Sequence, residues 1–143
     1  MTGKKYSFTF NPSKKGLRKI LGDLESDIMK IVWAKGEVTV RSVCELLKES
    51  REVAYTTVMT VMSRLAEKGL LEKVKEGNAF VYRATATEEE FTQSTLKKII
   101  NGLLSDFSAP AISQFLDSME DVGPEKLDEL ARMIEQKRKN RDV

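Results

Sequence analysis

Between Leu71 and Ala84 two short runs alternate about Glu76-Gly77-Asn78, whereas the other apolar clusters from Leu21 onward recur at helical spacing. One hairpin among amphipathic helices leaves few architectures open, because period-two strands bury alternate residues and period-3.6 helices bury a stripe. Leu24, Ile28, Ile31 and Val32 mark the face of a first helix, started at Gly22 with Glu25 and stopped by Gly36. Glu37 to Thr39 reads as extended. Thr39 caps a second helix that reaches about Lys48 and buries Val40, Val43, Leu46 and Leu47. A polar link leads to a third helix, about Ala54 to Lys68, with Val58, Val61, Met62 and Leu65 inward and Gly69 at its end. The hairpin strands are Leu71 to Lys75 and Ala79 to Ala84, where Phe80 and Tyr82 alternate with Val81 and Arg83.

Past Ala84 the pattern is wholly helical. Thr87 with Glu90 forms a capping box. Leu96, Ile99, Ile100, Leu103 and Phe107 face one way on the helix it opens. Ile112, Phe115, Leu116 and Met119 repeat the spacing on a second, and Leu127, Leu130, Ala131 and Ile134 on a third that starts at Pro124. The expected fold class is mainly α (α+β), a winged helix-turn-helix followed by a three-helix dimerisation domain. The expected divisions are a basic, flexible arm at 1–20, a winged-helix DNA-binding domain at 21–85, and a helical dimerisation domain at 86–143.

Composition narrows the chemistry. The 143 residues include no histidine, which removes the commonest general base and metal ligand. The single cysteine, Cys44, forms no internal disulfide and fits a reducing, cytoplasmic location. No metal site, cofactor or Gly-rich phosphate loop is expected, and no apolar run approaches the ~20 residues of a membrane span. Glu88-Glu89-Glu90 reads as a helix N-terminus and not as an active site, so the chain is not expected to be an enzyme.

Charge is uneven. Up to Arg83 there are 16 basic and 10 acidic residues; beyond it there are 8 and 12. A basic front half faces a polyanion, and an acidic tail does something else. On the third helix the outward face carries Thr56, Thr60 and Ser63, flanked by Thr57 and Arg64. Short hydroxyl side chains admit close approach to base edges, as the second helix of a helix-turn-helix requires. Thr56, Thr57, Thr60 and Ser63 are therefore the expected base readers. Arg41, Arg64, Lys73, Lys75 and Arg83 are the expected contacts to DNA backbone. Six further lysines and arginines in the arm, Lys4, Lys5, Lys14, Lys15, Arg18 and Lys19, have two readings, a solvated terminus or an arm laid on phosphates or in a minor groove. Trp33, Cys44, Met59, Met62 and Met119 are expected to pack.

The segments LGDLESDIMKIVWAKGEVTVRSV and AYTTVMTVMSRLAEKGLLEKVKEGNAFVYRA, with the helical tail, make the chain resemble the penicillinase-repressor family of bacterial repressors (BlaI/MecI/CopY type). The resemblance implies a cytoplasmic homodimer that blocks transcription from a dyad-symmetric operator in double-stranded DNA. It places bases against Thr56, Thr57 and Thr60 and the dimer in the tail helices. It also implies a link, in the antibiotic-resistance members, to a membrane sensor-protease pathway, without membrane insertion by the repressor. The cysteine cluster of the copper-responsive branch is absent. Independently, three amphipathic tail helices are too small to bury their own stripes: they fold back onto their own winged domain or, on the favoured reading, pair with a second copy, with Leu96, Ile99, Ile100, Leu103, Phe107, Ile112, Phe115 and Leu116 as the expected dimer interface. The rival reading is a winged-helix protein–protein adaptor without DNA binding.

Overall fold

A computed structural model of the protein describes residues 10–142. Helix α1 (Asp23–Lys35) is followed by strand β1 (Glu37–Val38), α2 (Val40–Leu47), α3 (Tyr55–Glu67), β2 (Leu71–Glu76), β3 (Ala79–Ala84), α4 (Glu88–Val122) and α5 (Pro124–Arg141). This is the order of a winged helix-turn-helix with a helical tail. The local punctuation is chemical. Glu25 accepts from the Gly22 N–H at 3.1 Å to start α1, and Gly36, at φ 88°, stops it in a region closed to most side chains. Thr39 and Ser42 bond reciprocally to cap α2, and Thr87 and Glu90 do so for α4.

The first unit reaches to Leu96 and the second begins at Lys97. The core of the first is Ile28, Met29 and Val32 of α1, Val43 and Leu47 of α2, Val58, Met62 and Leu65 of α3, and Leu70, Leu71 and Tyr82 around the sheet. Its boundary lies beyond the expected 85 because the start of α4 is anchored there. Phe91 is buried and its ring stands 5.9 Å from that of Trp33, while Trp33 Nε1–H donates to the Ala86 carbonyl at 3.0 Å. Trp33 packs as expected.

The sheet has order β1-β3-β2, all antiparallel. Its hairpin loop is shorter than the expected three residues. Glu76 pairs with Ala79, so only Gly77 and Asn78 turn, with Gly77 at φ 61°. A one-residue change in register moves side chains to the opposite face. Lys73 and Lys75 consequently stand across from Tyr82 and Phe80, while Arg83 pairs with Glu72 and Glu37 on the other face.

The expected flexible arm lies partly outside the described residues, Lys4 and Lys5 included. From Asn11 to Ile20 the chain is instead a closed loop: the Asn11 N–H donates to the Lys19 carbonyl and Gly16–Lys19 forms a 3-10 turn. Lys14 and Arg18 reach Asp23, Arg18 also reaches Asp27 at 3.2 Å, and the Lys19 ammonium donates to the Pro12 carbonyl.

In the tail, the first two expected helices join end to end as α4, without a loop. Phe107 leaves the helical region at φ −135° and ψ 44°, three residues before Pro110. Proline at 110 has no N–H to give and its ring crowds the carbonyl of Asp106, which bends the helix where the two apolar faces meet. Pro124 opens α5 at its first turn.

Candidate nucleic-acid interface

Helix α3 buries Val58, Met62 and Leu65 and leaves Thr56, Thr57, Thr60 and Arg64 exposed, with Ser63 half-buried. The expected base-reading face is thus on the surface. Its hydroxyls are not equivalent. Thr60 Oγ1 donates to the Thr56 carbonyl at 2.9 Å, so Thr60 offers a partner only its oxygen lone pairs and its methyl group. The N-terminal turn of α3 has no acidic residue and its N-cap, Ala54, supplies no side-chain bond. Its first backbone N–H groups are left for an anion.

A cleft of about 710 Å³ runs between α3, the start of α2 and the hairpin. Helix α2 contributes Arg41; α3 contributes Thr60, Ser63, Arg64 and Glu67; the hairpin contributes Lys73. Three of the five expected backbone contacts are therefore brought to one cleft beside two of the four expected base readers. Thr56 and Thr57 stand outside it, on the first turn of α3. Lys73 is held in place: its Nζ lies 4.3 Å above the centre of the Phe80 ring and 5.9 Å from that of Tyr82. Lys75, two pairs nearer the turn, is exposed on the same face of the hairpin.

Arg83 is placed differently from the expectation that grouped it with the two lysines. Its Nε donates to Glu72 at 3.2 Å on the face turned away from them. The Glu72 hydrogen bond raises the guanidinium above its ordinary value, with the charges of Glu72, Glu37 and Glu76 adding to it. A cation so surrounded attracts phosphate less than Lys73 or Arg41 does.

The sequence reading missed the apolar members of this surface. Tyr55, Met59 and Phe80 line the cleft and are 51%, 42% and 49% exposed. Met59 is therefore not the packing residue it was expected to be, although Met62 is fully buried and Met119 half-buried. The signal was available: Met59 lies off the Val58–Met62–Leu65 stripe. Cys44 is half-buried, and burial pushes its thiol up, with Lys48 opposing and Glu45 adding. Among the described residues no three His, Cys, Asp or Glu side chains converge on a metal-sized site.

The expected interface residues of the tail are on the surface. Leu96, Ile100, Leu103, Phe107, Ile112, Phe115 and Leu116 are exposed and Ile99 is half-buried. In the second unit, Ile100, Leu103, Leu104, Phe107 and Phe115 line an apolar groove of about 690 Å³. Among the described residues no helix is long and apolar enough to cross a membrane.

The penicillinase repressor family model matches residues 21–136, which takes in the winged domain and most of the tail. The chain belongs to the penicillinase repressor family. Among relatives of this repressor, the transcriptional regulator BlaI of Mycobacterium tuberculosis is 35% identical over 125 residues, covering 80% of this chain and 82% of the relative. The penicillinase repressor of Bacillus licheniformis is 28% identical, with 85% and 93% covered. The solution structure of the DNA-binding domain of the repressor BlaI aligns at a TM-score of 0.44 and 28% identity, over 54% of this chain and 93% of that one.

Proposed function

We propose that this DNA-binding transcriptional repressor acts as a homodimer on a dyad-symmetric operator, each protomer laying α3 in the major groove. The observation that carries the reading is the cleft beside α3. There the hydroxyl face of a helix meets Arg41, Arg64 and Lys73, which is the pairing of close approach with positive charge that a duplex selects. Thr56, Thr57, Thr60 and Ser63 face base edges. Arg41, Arg64, Lys73 and Lys75 meet phosphates, and Arg83 is left to its ion pair with Glu72.

The exposed stripe from Leu96 to Leu116 supports self-association, since an apolar surface of this extent costs free energy in water until it is covered. A two-fold dimer sets its recognition helices about 34 Å apart, one turn of B-DNA, or a multiple of that spacing. The chain works in the cytoplasm, where the operator is reached directly. Relief of repression through a membrane sensor-protease pathway belongs to the same reading as an expectation of the family, with no residue of this chain assigned to cleavage.

The test is selection of bound fragments from the native genome at near-physiological salt, followed by titration over a salt series. The expected result is protection of a two-fold symmetric site and a log–log salt slope of about −0.9 for each phosphate neutralised. A salt-independent affinity, or no bound duplex at all with a protein captured instead, overturns the reading in favour of an adaptor.

A further inference from the structure

The cleft beside α3 holds more apolar surface than phosphate recognition needs. Met59 is 42% exposed, one turn after Tyr55 and one turn before Ser63, and Phe80 stands on the hairpin side of the same cleft. Singly exposed apolar residues need no explanation. Three of them gathered in one cleft with Arg41, Arg64 and Lys73 do, because water is a poor partner for such a patch and the cations fix what kind of molecule enters. That molecule is polyanionic and carries apolar groups at the depth of the helix surface.

A duplex has few such groups. Along the major-groove edge of the base pairs, oxygens, nitrogens and amino groups alternate, and the thymine C5-methyl is the one apolar substituent. Deoxyribose carbons are apolar too, but they lie along the backbone and carry no sequence. Met59 lies on the flank of α3 next to Thr60 and Ser63, the expected base readers, so its thioether projects from the element that enters the groove. Phe80 is held in place by the Lys73 ammonium above its ring, 4.3 Å from the centroid. Tyr55, one turn before Met59 on α3, lines the same cleft. An unbranched, polarisable methionine in a cleft it shares with two aromatic rings adapts its shape to a methyl group without demanding one backbone geometry.

We propose that Met59, in the cleft it shares with Tyr55 and Phe80, reads a thymine C5-methyl group in each operator half-site. The proposal rests on the operator-binding reading above and adds a specificity determinant to it.

The experiment uses the full chain and the duplex recovered from the genomic selection, resynthesised with deoxyuridine at each thymine in turn. Deoxyuridine deletes the methyl and keeps the base pair. For the unmodified protein, one or two positions per half-site are expected to lose about fourfold in affinity, the equivalent of one buried methyl. Met59→Ala should lose a similar factor on the thymine duplex and bind the thymine and deoxyuridine versions equally. Thr60→Ser, which keeps the hydroxyl and removes the methyl of the residue next to Met59, should still discriminate between them. Equal affinity of the unmodified protein for every deoxyuridine duplex assigns the patch to deoxyribose and overturns the proposal. So does discrimination that survives in Met59→Ala and vanishes in Thr60→Ser. Binding to no genomic duplex is a different failure, since it removes the repressor reading and this inference with it.

Discussion

The Thr60 hydroxyl donates its proton to the Thr56 carbonyl one turn back, so the side chain faces outward as an acceptor and a methyl group. That surface tolerates a base edge and does not tolerate a carboxylate. Thr60→Glu is expected to abolish specific binding, read as loss of operator protection, while sedimentation shows the same assembly as the unmodified chain. A second hydroxyl is placed less favourably. Thr95 is 1% exposed and, among the described residues, its Oγ1 is the buried side-chain polar atom without a hydrogen-bond partner. Burying an unpaired hydroxyl costs free energy that an isosteric methyl does not. Thr95→Val should therefore raise the urea midpoint of the winged domain, by about 1 kcal/mol in stability.

Among the elements, the turn from α1 into β1 turns on Gly36. At φ 88° and ψ −75° it occupies backbone space that side chains avoid, yet a Cβ there would meet nothing within 4 Å. Gly36→Ala thus isolates the backbone term, and a loss of about 1–2 kcal/mol is expected in chemical unfolding, with operator binding of the folded fraction unchanged. The hairpin teaches the complementary point. Its two-residue loop decides that Lys73 and Lys75 share a face with Phe80 and Tyr82 while Arg83 goes to Glu72. The ion pair is exposed and contributes little to stability; its consequence is the charge it removes from the surface.

In the whole molecule, the winged domain buries its stripes and the second unit leaves its own exposed. Ile100, Leu103, Phe107, Ile112 and Phe115 are each about half exposed along one helix. Replacing Leu103 by Glu places a charge in that stripe, and on the proposed homodimer reading sedimentation should then report a single chain at concentrations where the unmodified protein is expected to pair. Two linked half-site contacts gain from each other's proximity, so this variant should lose roughly 100-fold or more on the full operator and little on an isolated half-site. Equal loss on both would place Leu103 in the fold of the tail and not between copies.

The elements were legible in the sequence because their causes are local. The α3 stripe, the Thr39 and Thr87 caps, the Gly36 stop and the Gly77 turn each depend on residues within about four positions of one another. The outward hydroxyls of α3 followed from the same periodicity. Tertiary structure alone decided which flank of α3 stays uncovered, that Phe91 ties the start of α4 to Trp33, and that Arg83 is taken by Glu72. These outcomes depend on a register, a helix junction and a neighbour many residues away, and apolar spacing along a single helix holds no record of what packs against its sides.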